Sequence, residues 1–242
     1  MHPKKSPVPV AATLRGCLLA GMVLALAGCE AREPPAPGGP VAQWPAVGGD
    51  VDGQRFSPLT QITPGNVGAL EVAWTYRTGD VSSGTGEHGP TAFQATPLVI
   101  GDTMYLCSPY NRVIALDAAT GTERWVHDPR VDLAGVYTPT CRGVAYWDGG
   151  TTGVCSRRIL SATLDARLIA LDAASGAVCE DFGVNGAVNL RENLGEVRTG
   201  EYYVTSAPLV LGNLVVTGAF VQDGQRVDAP PGVVRAFDVK SG

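Results

Sequence analysis

The sequence has little charge and few aromatic side chains. Of its 242 residues, 17% are Asp, Glu, Lys or Arg and 7% are Phe, Trp or Tyr. The first 28 residues hold three of the 18 basic residues and none of the 23 acidic ones, which leaves 15 against 23 in the remainder. This balance argues against nucleic acid as a partner, because phosphate groups are bound by clustered Lys and Arg side chains.

Several patterns of common binding sites are also missing. The six cysteines form no CxxC pattern, which argues against zinc, and no CxxCH haem-attachment pattern. The three histidines show neither metal-ligand spacing nor a Ser/His/Asp order. No helical periodicity of useful length is evident. The apolar run GCLLAGMVLALAG at 16–28 is too short to span a bilayer as a mature helix.

That apolar run instead has the form of a secretory signal. Three basic residues precede it, and it leads into Leu26-Ala27-Gly28-Cys29, which is similar to the bacterial lipobox. We therefore predict a lipoprotein signal peptide at 1–28, lipidation of Cys29 and a Pro/Gly-rich tether at 29–43. These predictions place the protein in the periplasm, anchored by lipid to a bacterial membrane. An ordinary cleaved signal with an incidental Cys29 is the alternative.

Four cysteines remain once Cys17 leaves with the signal and Cys29 carries lipid. They are Cys107, Cys141, Cys155 and Cys179. An even number in an oxidising compartment predicts two disulfides, and four thiols allow three connectivities. We favour Cys155–Cys179, because these residues flank one predicted hairpin unit, and this leaves Cys107–Cys141. Free buried thiols are the alternative.

The chain repeats itself. The three copies are RVIALDAATGTERW at 112–125, RLIALDAASGAVCEDF at 167–182 and VVRAFDVKSG at 233–242. Each has an alternating apolar strand, an Asp, a few small or polar residues and a Gly, which predicts strand, tight turn and next strand. With 31 Gly and 18 Pro in the chain, these repeats predict an all-β fold, a β-propeller with insertions between its blades.

About three blades are present, and the third copy stops at Gly242, directly after its turn. Three blades do not close a ring, so we expect the chain to be the N-terminal part of a longer propeller. An open three-blade domain is the alternative. The alternating segment Leu70–Tyr76 is predicted to be a strand of the ring-closing blade.

Six passages carry a resemblance to one enzyme family. They are GGDVDGQRFSPLTQITPGNV, AWTYRTGDV, FQATPLVIGDTMYLCSPYNRVIALDAATGTERW, TCRGVAYW, RRILSATLDARLIALDAASG and GVVRAFDVKSG. Together they resemble the N-terminal part of pyrroloquinoline-quinone-dependent dehydrogenases, in particular the membrane-bound glucose and quinate dehydrogenase branch. The resemblance covers residues 44–242 and implies a quinoprotein-type propeller, eight-bladed when complete.

The resemblance also implies a chemistry. The family binds pyrroloquinoline quinone with calcium in a central funnel and oxidises a sugar, polyol or alcohol hydroxyl. The electrons pass to ubiquinone or to a cytochrome, and the cofactor carries the redox chemistry while the protein binds and orients it.

Three residues are assigned roles by this resemblance. Arg142 occupies the position that contacts a cofactor carboxylate, for which a planar guanidinium is suited. Thr205 matches a threonine that hydrogen-bonds the cofactor. Asp223 falls at the acidic position that coordinates calcium or lies beside the quinone. The alternatives are a surface ion pair for Arg142, an ordinary strand residue for Thr205 and a turn residue for Asp223.

Three positions depart from the family pattern. Gln94 stands where relatives often have a Glu beside the cofactor, and Thr138 stands where the membrane glucose dehydrogenases have a His near the quinone. Gly224 replaces an Asn. Gln94 and Thr138 remain candidate cofactor contacts, but these changes argue against a specificity for glucose.

The catalytic base of the family is an Asp in a later blade, and no residue of 1–242 aligns with it. We therefore expect no activity from residues 29–242 alone. A second interpretation is a non-catalytic lipoprotein propeller, a scaffold similar to outer-membrane assembly lipoproteins. Convergence of Arg142, Thr205 and Asp223 in one funnel would favour the enzyme.

Overall fold

The structure is a computed structural model that describes residues 43–50, 52–85, 89–222 and 224–242. The predicted signal peptide, the lipidation residue Cys29 and the candidate metal ligand Asp223 lie outside the described residues. Within them the only helix is a 3₁₀ turn at Val67–Ala69, and no helix there is long and apolar enough to cross a membrane. The prediction of an all-β chain is confirmed.

Fifteen strands are present in the described part of the chain. In chain order they are β1 (Ala92–Phe93), β2 (Leu98–Ile100), β3 (Thr103–Cys107), β4 (Val113–Asp117), β5 (Glu123–His127), β6 (Thr140–Cys141), β7 (Ala145–Asp148), β8 (Arg157–Ala162), β9 (Arg167–Asp172), β10 (Ala187–Asn189), β11 (Tyr202–Tyr203), β12 (Leu209–Leu211), β13 (Leu214–Thr217), β14 (Phe220–Val221) and β15 (Arg235–Asp238).

Eleven of these strands form three antiparallel sheets of the kind that a propeller stacks as blades. Blade 1 has the order β2-β3-β4-β5, blade 2 has β7-β8-β9-β10, and blade 3 has β12-β13-β15. Neighbouring strands are mostly consecutive in the chain, as in a meander. The repeat therefore corresponds to a blade, as the sequence predicts.

The repeated Asp forms the same turn in all three blades. One carboxylate oxygen of Asp117 accepts hydrogen bonds from the amide groups of Ala119 and Thr120, at 3.1 and 2.9 Å. Asp172 and Asp238 bind the equivalent amides of their own turns. The Gly that ends each turn has a positive φ, for example 70° at Gly121. A residue with a side chain adopts this backbone conformation only at a cost in free energy.

The core lies between the blades. In β9, Leu168 and Ala170 belong to the cluster shared with blade 3, and Ile169 and Leu171 belong to the cluster shared with blade 1. Alternation along a strand directs successive side chains to opposite faces of its sheet, so a strand with two packed faces is apolar throughout. The unbroken apolar runs of the repeats have this cause.

Aromatic rings pack on two of the three turns. A Cβ on Gly176 would lie 2.5 Å from the ring of Trp125, and a Cβ on Gly121 would lie 2.5 Å from the ring of Trp74. The Trp125 indole also donates a hydrogen bond to the Ala173 carbonyl, 3.1 Å away. Gly176 thus leaves room for a ring of the neighbouring sheet, and Gly121 leaves room for a ring of the segment before blade 1.

The segment 70–80 lies against blade 1. Leu70–Tyr76 pairs with no described strand, and the partner expected for it belongs to the ring-closing blade, which is not among the described residues, so the strand at 70–76 stays a prediction. Its aromatic side chains nevertheless pack on the outer face of blade 1. The Tyr76 hydroxyl donates to Glu123 at 2.6 Å, and burial together with this bond raises the pKa of Tyr76 to about 12.

Two disulfides join the four remaining cysteines in the pairs that the sequence favours. Cys107 is bonded to Cys141 with 6.0 Å between their Cα atoms, and Cys155 is bonded to Cys179 with 5.7 Å. The first bridge links the end of β3 in blade 1 to β6, which leads into blade 2. The second joins two loops of blade 2, with Cys155 between β7 and β8 and Cys179 between β9 and β10.

Candidate functional site

Short segments connect neighbouring blades at one end of their sheets. We name residues 92–97, 140–144 and 202–208 the lead-in segments, because each precedes the first strand of a blade. In the first two, β1 and β6 pair in parallel, with Phe93 opposite Cys141. The Thr140 hydroxyl donates to the Ala92 carbonyl at 2.8 Å. The lead-in segments therefore lie side by side at the end where β3 and β8 finish.

Arg142 and Thr205 meet at this end. The Arg142 amide donates to the Thr205 carbonyl at 2.9 Å, and the Thr96 amide donates to the Arg142 carbonyl at 3.0 Å. The Arg142 guanidinium also donates a hydrogen bond to the Thr205 hydroxyl. Arg142 is exposed and Thr205 is half-buried. The structure thus brings together two of the residues that the sequence assigns to a cofactor site.

Strand alternation explains why the guanidinium is available. Cys141 is buried in the core between blades 1 and 2, so the next residue, Arg142, points to the opposite side. Gly143 follows with a φ of 150°, and a Cβ there would lie 3.3 Å from the Thr96 carbonyl oxygen and from Ala207. A side chain at Gly143 would be strained by this φ, and its neighbours would have to move by a few tenths of an ångström to admit a Cβ.

Gln94 occupies the corresponding place in the first lead-in segment. It is exposed, and it directly follows Phe93, the partner of Cys141 in the β1–β6 register, as Arg142 directly follows Cys141. Thr138 is half-buried and lies two residues before β6. Gln94, Arg142 and Thr205 are therefore one residue from each of three adjoining segments, and Thr138 lies close to them in the chain.

The fifth candidate, Asp223, lies outside the described residues, so the geometry does not bear on its predicted role as a calcium ligand. Gly224, which replaces an Asn of the family pattern, has a φ of 70°. Glycine and asparagine are the residues that adopt this left-handed conformation most readily, so this departure preserves the backbone.

A buried ion pair anchors the loop that follows β14. The guanidinium of Arg226 donates to both carboxylate oxygens of Glu201, at 2.7 and 3.0 Å, and their side chains are 8% and 6% exposed. The hydrogen bond from Arg226 lowers the pKa of Glu201 to about 2, assisted by the Arg198 amide. The Gln222 amide donates to the Glu201 carbonyl at 2.9 Å. Sequence analysis missed this pair, because 25 residues separate its members.

A separate cavity of about 710 Å³ lies between blades 1 and 2 at the other end of the sheets. Its walls include Thr103, the first residue of β3, whereas Cys107 beside the lead-in segments is the last. The charged side chains of Arg124 and Arg157 in its wall are already paired, with Asp102, Asp117 and Asp148. The cavity is therefore distinct from the candidate site and offers less free charge.

The donor set of the lead-in segments defines what they can bind. A guanidinium has five N–H donors and no acceptor, and a hydroxyl and an amide add further donors beside it. Arg142 gives one of its donors to Thr205 and keeps the others for a ligand. Such a set suits an anionic ligand with carboxylate and carbonyl oxygens. The sequence offered a signal for the grouping, because Gln94 and Thr205 each stand three residues before Pro in FQATPLV and VTSAPLV.

The stacked antiparallel sheets, the Asp turns and the lead-in segments define a β-propeller in which one face carries the candidate site. A family profile described as "PQQ: Glucose/ethanol/alcohol dehydrogenase, beta-propeller domain" matches residues 44–242. The chain belongs to this family of pyrroloquinoline-quinone (PQQ) dehydrogenase propellers.

Individual relatives agree. The chain is 41% identical over 218 residues to the quinate/shikimate dehydrogenase (quinone) of Acinetobacter baylyi, covering 82% of this chain and 26% of that protein. It is 40% identical over 213 residues to the quinoprotein glucose dehydrogenase of Escherichia coli, covering 84% and 27%. The chain thus spans about a quarter of the length of these curated relatives.

Solved structures show the same fold. The quinohemoprotein alcohol dehydrogenase of Comamonas testosteroni aligns with a TM-score of 0.66 at 28% identity, over 82% of this chain and 26% of that one. The quinohemoprotein alcohol dehydrogenase ADHIIG of Pseudomonas putida HK5 aligns with a TM-score of 0.64 at 32% identity, over 83% and 25%. These relatives are dehydrogenases, so the scaffold interpretation is not favoured.

Proposed function

We propose that the protein carrying this chain is a PQQ-dependent dehydrogenase that oxidises a sugar, polyol or alcohol hydroxyl. The observation that carries the proposal is the exposed Arg142 guanidinium, which contacts the Thr205 hydroxyl where adjoining lead-in segments meet. Family membership supports it, since relatives named for quinate, glucose and glycerol oxidation share the propeller. Small alcohols or sugars are thus the proposed substrates.

The donor set fits the cofactor. Pyrroloquinoline quinone carries three carboxylates and two adjacent carbonyls, so it presents many acceptors and a negative charge. Arg142 supplies positive charge and paired N–H groups, and Thr205 and Gln94 supply neutral donors beside it. An exposed cation held by backbone bonds on both sides is preorganised for such a ligand, which reduces the ordering cost of binding.

In this proposal, Arg142 binds a carboxylate of the cofactor, Thr205 orients the guanidinium and hydrogen-bonds the same rim, and Gln94 donates from the neighbouring segment. Thr138 borders the same face. Asp223 is proposed to hold a calcium ion, since hard divalent cations prefer carboxylate oxygens. When bound, the quinone accepts a hydride from the substrate.

We also propose where the protein works. The lipobox resemblance at Leu26–Cys29 and the tether before residue 44 support a lipid-anchored protein in the periplasm. The two disulfides agree with an oxidising compartment. Electrons would pass to membrane ubiquinone or to a cytochrome.

The test is a titration of the complete protein with pyrroloquinoline quinone in the presence of calcium, followed by quenching of tryptophan fluorescence. We expect saturable binding by the unaltered protein. Arg142→Ala removes hydrogen bonds to a charged group, which contribute about 1.5–3 kcal/mol, so it raises the Kd at least about tenfold.

Arg157→Ala is the matched control. Arg157 is also an exposed arginine of blade 2, but it begins β8 at the other end of the sheet and pairs with Asp148 at 3.3 Å. Its removal leaves the Kd unchanged. Absence of saturable binding by the unaltered protein would reject the proposed function, and equal weakening by both substitutions would reject the role of Arg142.

A further inference from the structure

We propose that the Cys107–Cys141 disulfide is a positioning device for Arg142, and that it sets the affinity of the site for its anionic cofactor. The inference rests on the proposed function, because the ligand used to detect it is pyrroloquinoline quinone. In this proposal the Cys107–Cys141 disulfide positions Arg142, and the Cys155–Cys179 disulfide does not.

Apart from the backbone bonds of Arg142 to Thr96 and Thr205, the segment that carries Arg142 has little support from secondary structure. Strand β6 has two residues and pairs with β1 through two residue pairs. Twelve residues without a strand separate it from β5, and Gly143 follows Arg142 with its unusual φ. So short a ladder does not hold a strand firmly by itself.

The disulfide holds β6 from its core side. Cys107 is fully buried and Cys141 is 3% exposed, and both belong to the core between blades 1 and 2. Cys107 ends the five-residue strand β3, which pairs along its whole length with β4. The bridge therefore ties the short β6 to one of the best-supported strands of blade 1.

The constraint is transmitted to Arg142 by one peptide unit. Because Cys141 and Arg142 are adjacent in an extended segment, fixing the side chain of Cys141 on the core side fixes the direction of Arg142 on the opposite side. A guanidinium binds a carboxylate through two parallel hydrogen bonds only when its plane is correctly directed. Movement of the segment would turn the plane without removing the charge.

The second disulfide provides a control of the same chemistry. Cys155 precedes Arg157, the first residue of β8, whereas the lead-in segments lie beside Ala162, its last residue. The two bridges span 34 and 24 residues, so they constrain the unfolded chain to a similar degree. Removing either should lower stability comparably, and removing the first alone should weaken the cofactor site.

The experiment compares two double variants of the complete protein, Cys107→Ala/Cys141→Ala and Cys155→Ala/Cys179→Ala. For each we would measure the thermal unfolding midpoint without cofactor and the Kd for pyrroloquinoline quinone with calcium. We expect the thermal unfolding midpoint to fall by a similar amount in the two double variants. The Kd should rise about tenfold in the first variant and change less than about twofold in the second.

Several results would overturn the inference. Equal Kd values for the two variants would show that the first disulfide only stabilises the fold. If Cys107→Ala/Cys141→Ala does not fold, Cys107→Val/Cys141→Ala replaces it, because valine restores part of the buried volume. Failure of both to fold while the control folds would show a folding role and would also overturn positioning. A failure of the unaltered protein to bind would instead reject the proposed function.

Discussion

At the scale of single residues, the turn aspartates show how one side chain can define a repeat. Asp117 accepts bonds from two amides and from the Thr120 hydroxyl, and its second oxygen receives Arg124 at 2.8 Å. The hydrogen bond from Arg124 and those of the turn lower the pKa of Asp117 to about 2. The folded state therefore favours the ionised carboxylate more than the unfolded chain does.

This difference predicts a pH-dependent effect of Asp117→Asn. A carboxyl whose pKa is lowered from 3.8 to about 2 adds stability that is complete above pH 3.8 and is lost as the pH falls through about 2. The variant should be less stable than the unaltered protein at pH 6, and the two should converge near pH 2. Urea unfolding at several pH values measures this.

Asp132→Asn is the control for that series. The Asp132 carboxylate is exposed and accepts one hydrogen bond, from the Ala134 amide at 2.9 Å. If the free energies of unfolding of Asp117→Asn and the unaltered protein differ by the same amount at pH 6 and at pH 2, the charge of Asp117 and its ion pair with Arg124 add nothing to stability.

At the scale of elements, neighbouring sheets are joined by a ring that covers a glycine. Gly176→Ala should lower the free energy of unfolding strongly, because the φ of Gly176 is 72° and a Cβ there would lie 2.5 Å from the Trp125 ring. The φ change alone costs about 1–2 kcal/mol, and the forced displacement of a packed ring adds about 1–3 kcal/mol. Chemical denaturation would measure the sum.

Gly101→Ala separates the two contributions. Gly101 has a φ of 59°, and a Cβ there would meet no atom within 4 Å. Gly101→Ala should therefore lower the free energy of unfolding only by the cost of the positive φ, about 1–2 kcal/mol. Equal losses at both positions would mean that the ring moves aside without cost.

At the scale of the whole molecule, the blades are expected to unfold together because side chains bond across their interfaces. Arg158 is 2% exposed, and its guanidinium donates to the Val239 and Lys240 carbonyls, at 3.3 and 2.8 Å, in the turn that follows β15 of blade 3. Arg158→Lys should leave the buried Val239 carbonyl without this bond and lower the free energy of unfolding by about 1–3 kcal/mol.

The same change should reduce the coupling between blades 2 and 3. Tryptophan fluorescence and circular dichroism should then give separate unfolding transitions for Arg158→Lys and coincident ones for the unaltered protein. Arg157→Lys, at the neighbouring exposed position, should leave the transitions coincident. Separate transitions in both variants would show that Arg158 does not couple the blades.

Much of the fold is predictable because its determinants are local. The Asp-to-Gly turns, the alternating strands and the Cys155–Cys179 pair follow from residues close together in the chain, and Cys107–Cys141 is then the pair that remains. The strand expected at 70–76 depends instead on a partner in the ring-closing blade, so the described residues do not test it. The candidate site divides in the same way. Family positions gave Arg142 and Thr205, but their direct contact joins residues 63 apart, which no local pattern encodes.

The alternation of Cys141 and Arg142 has a consequence for how such a protein can acquire new ligands. Cys141 faces the core and Arg142 faces the proposed cofactor site, so the requirements of folding and of recognition would fall on different, adjacent positions. Gln94, Arg142 and Thr205 each project from a separate segment. Exchanging any of them alters the chemistry of the surface while the interior keeps its composition, although Arg142 and Thr205, which contact each other, would have to change together.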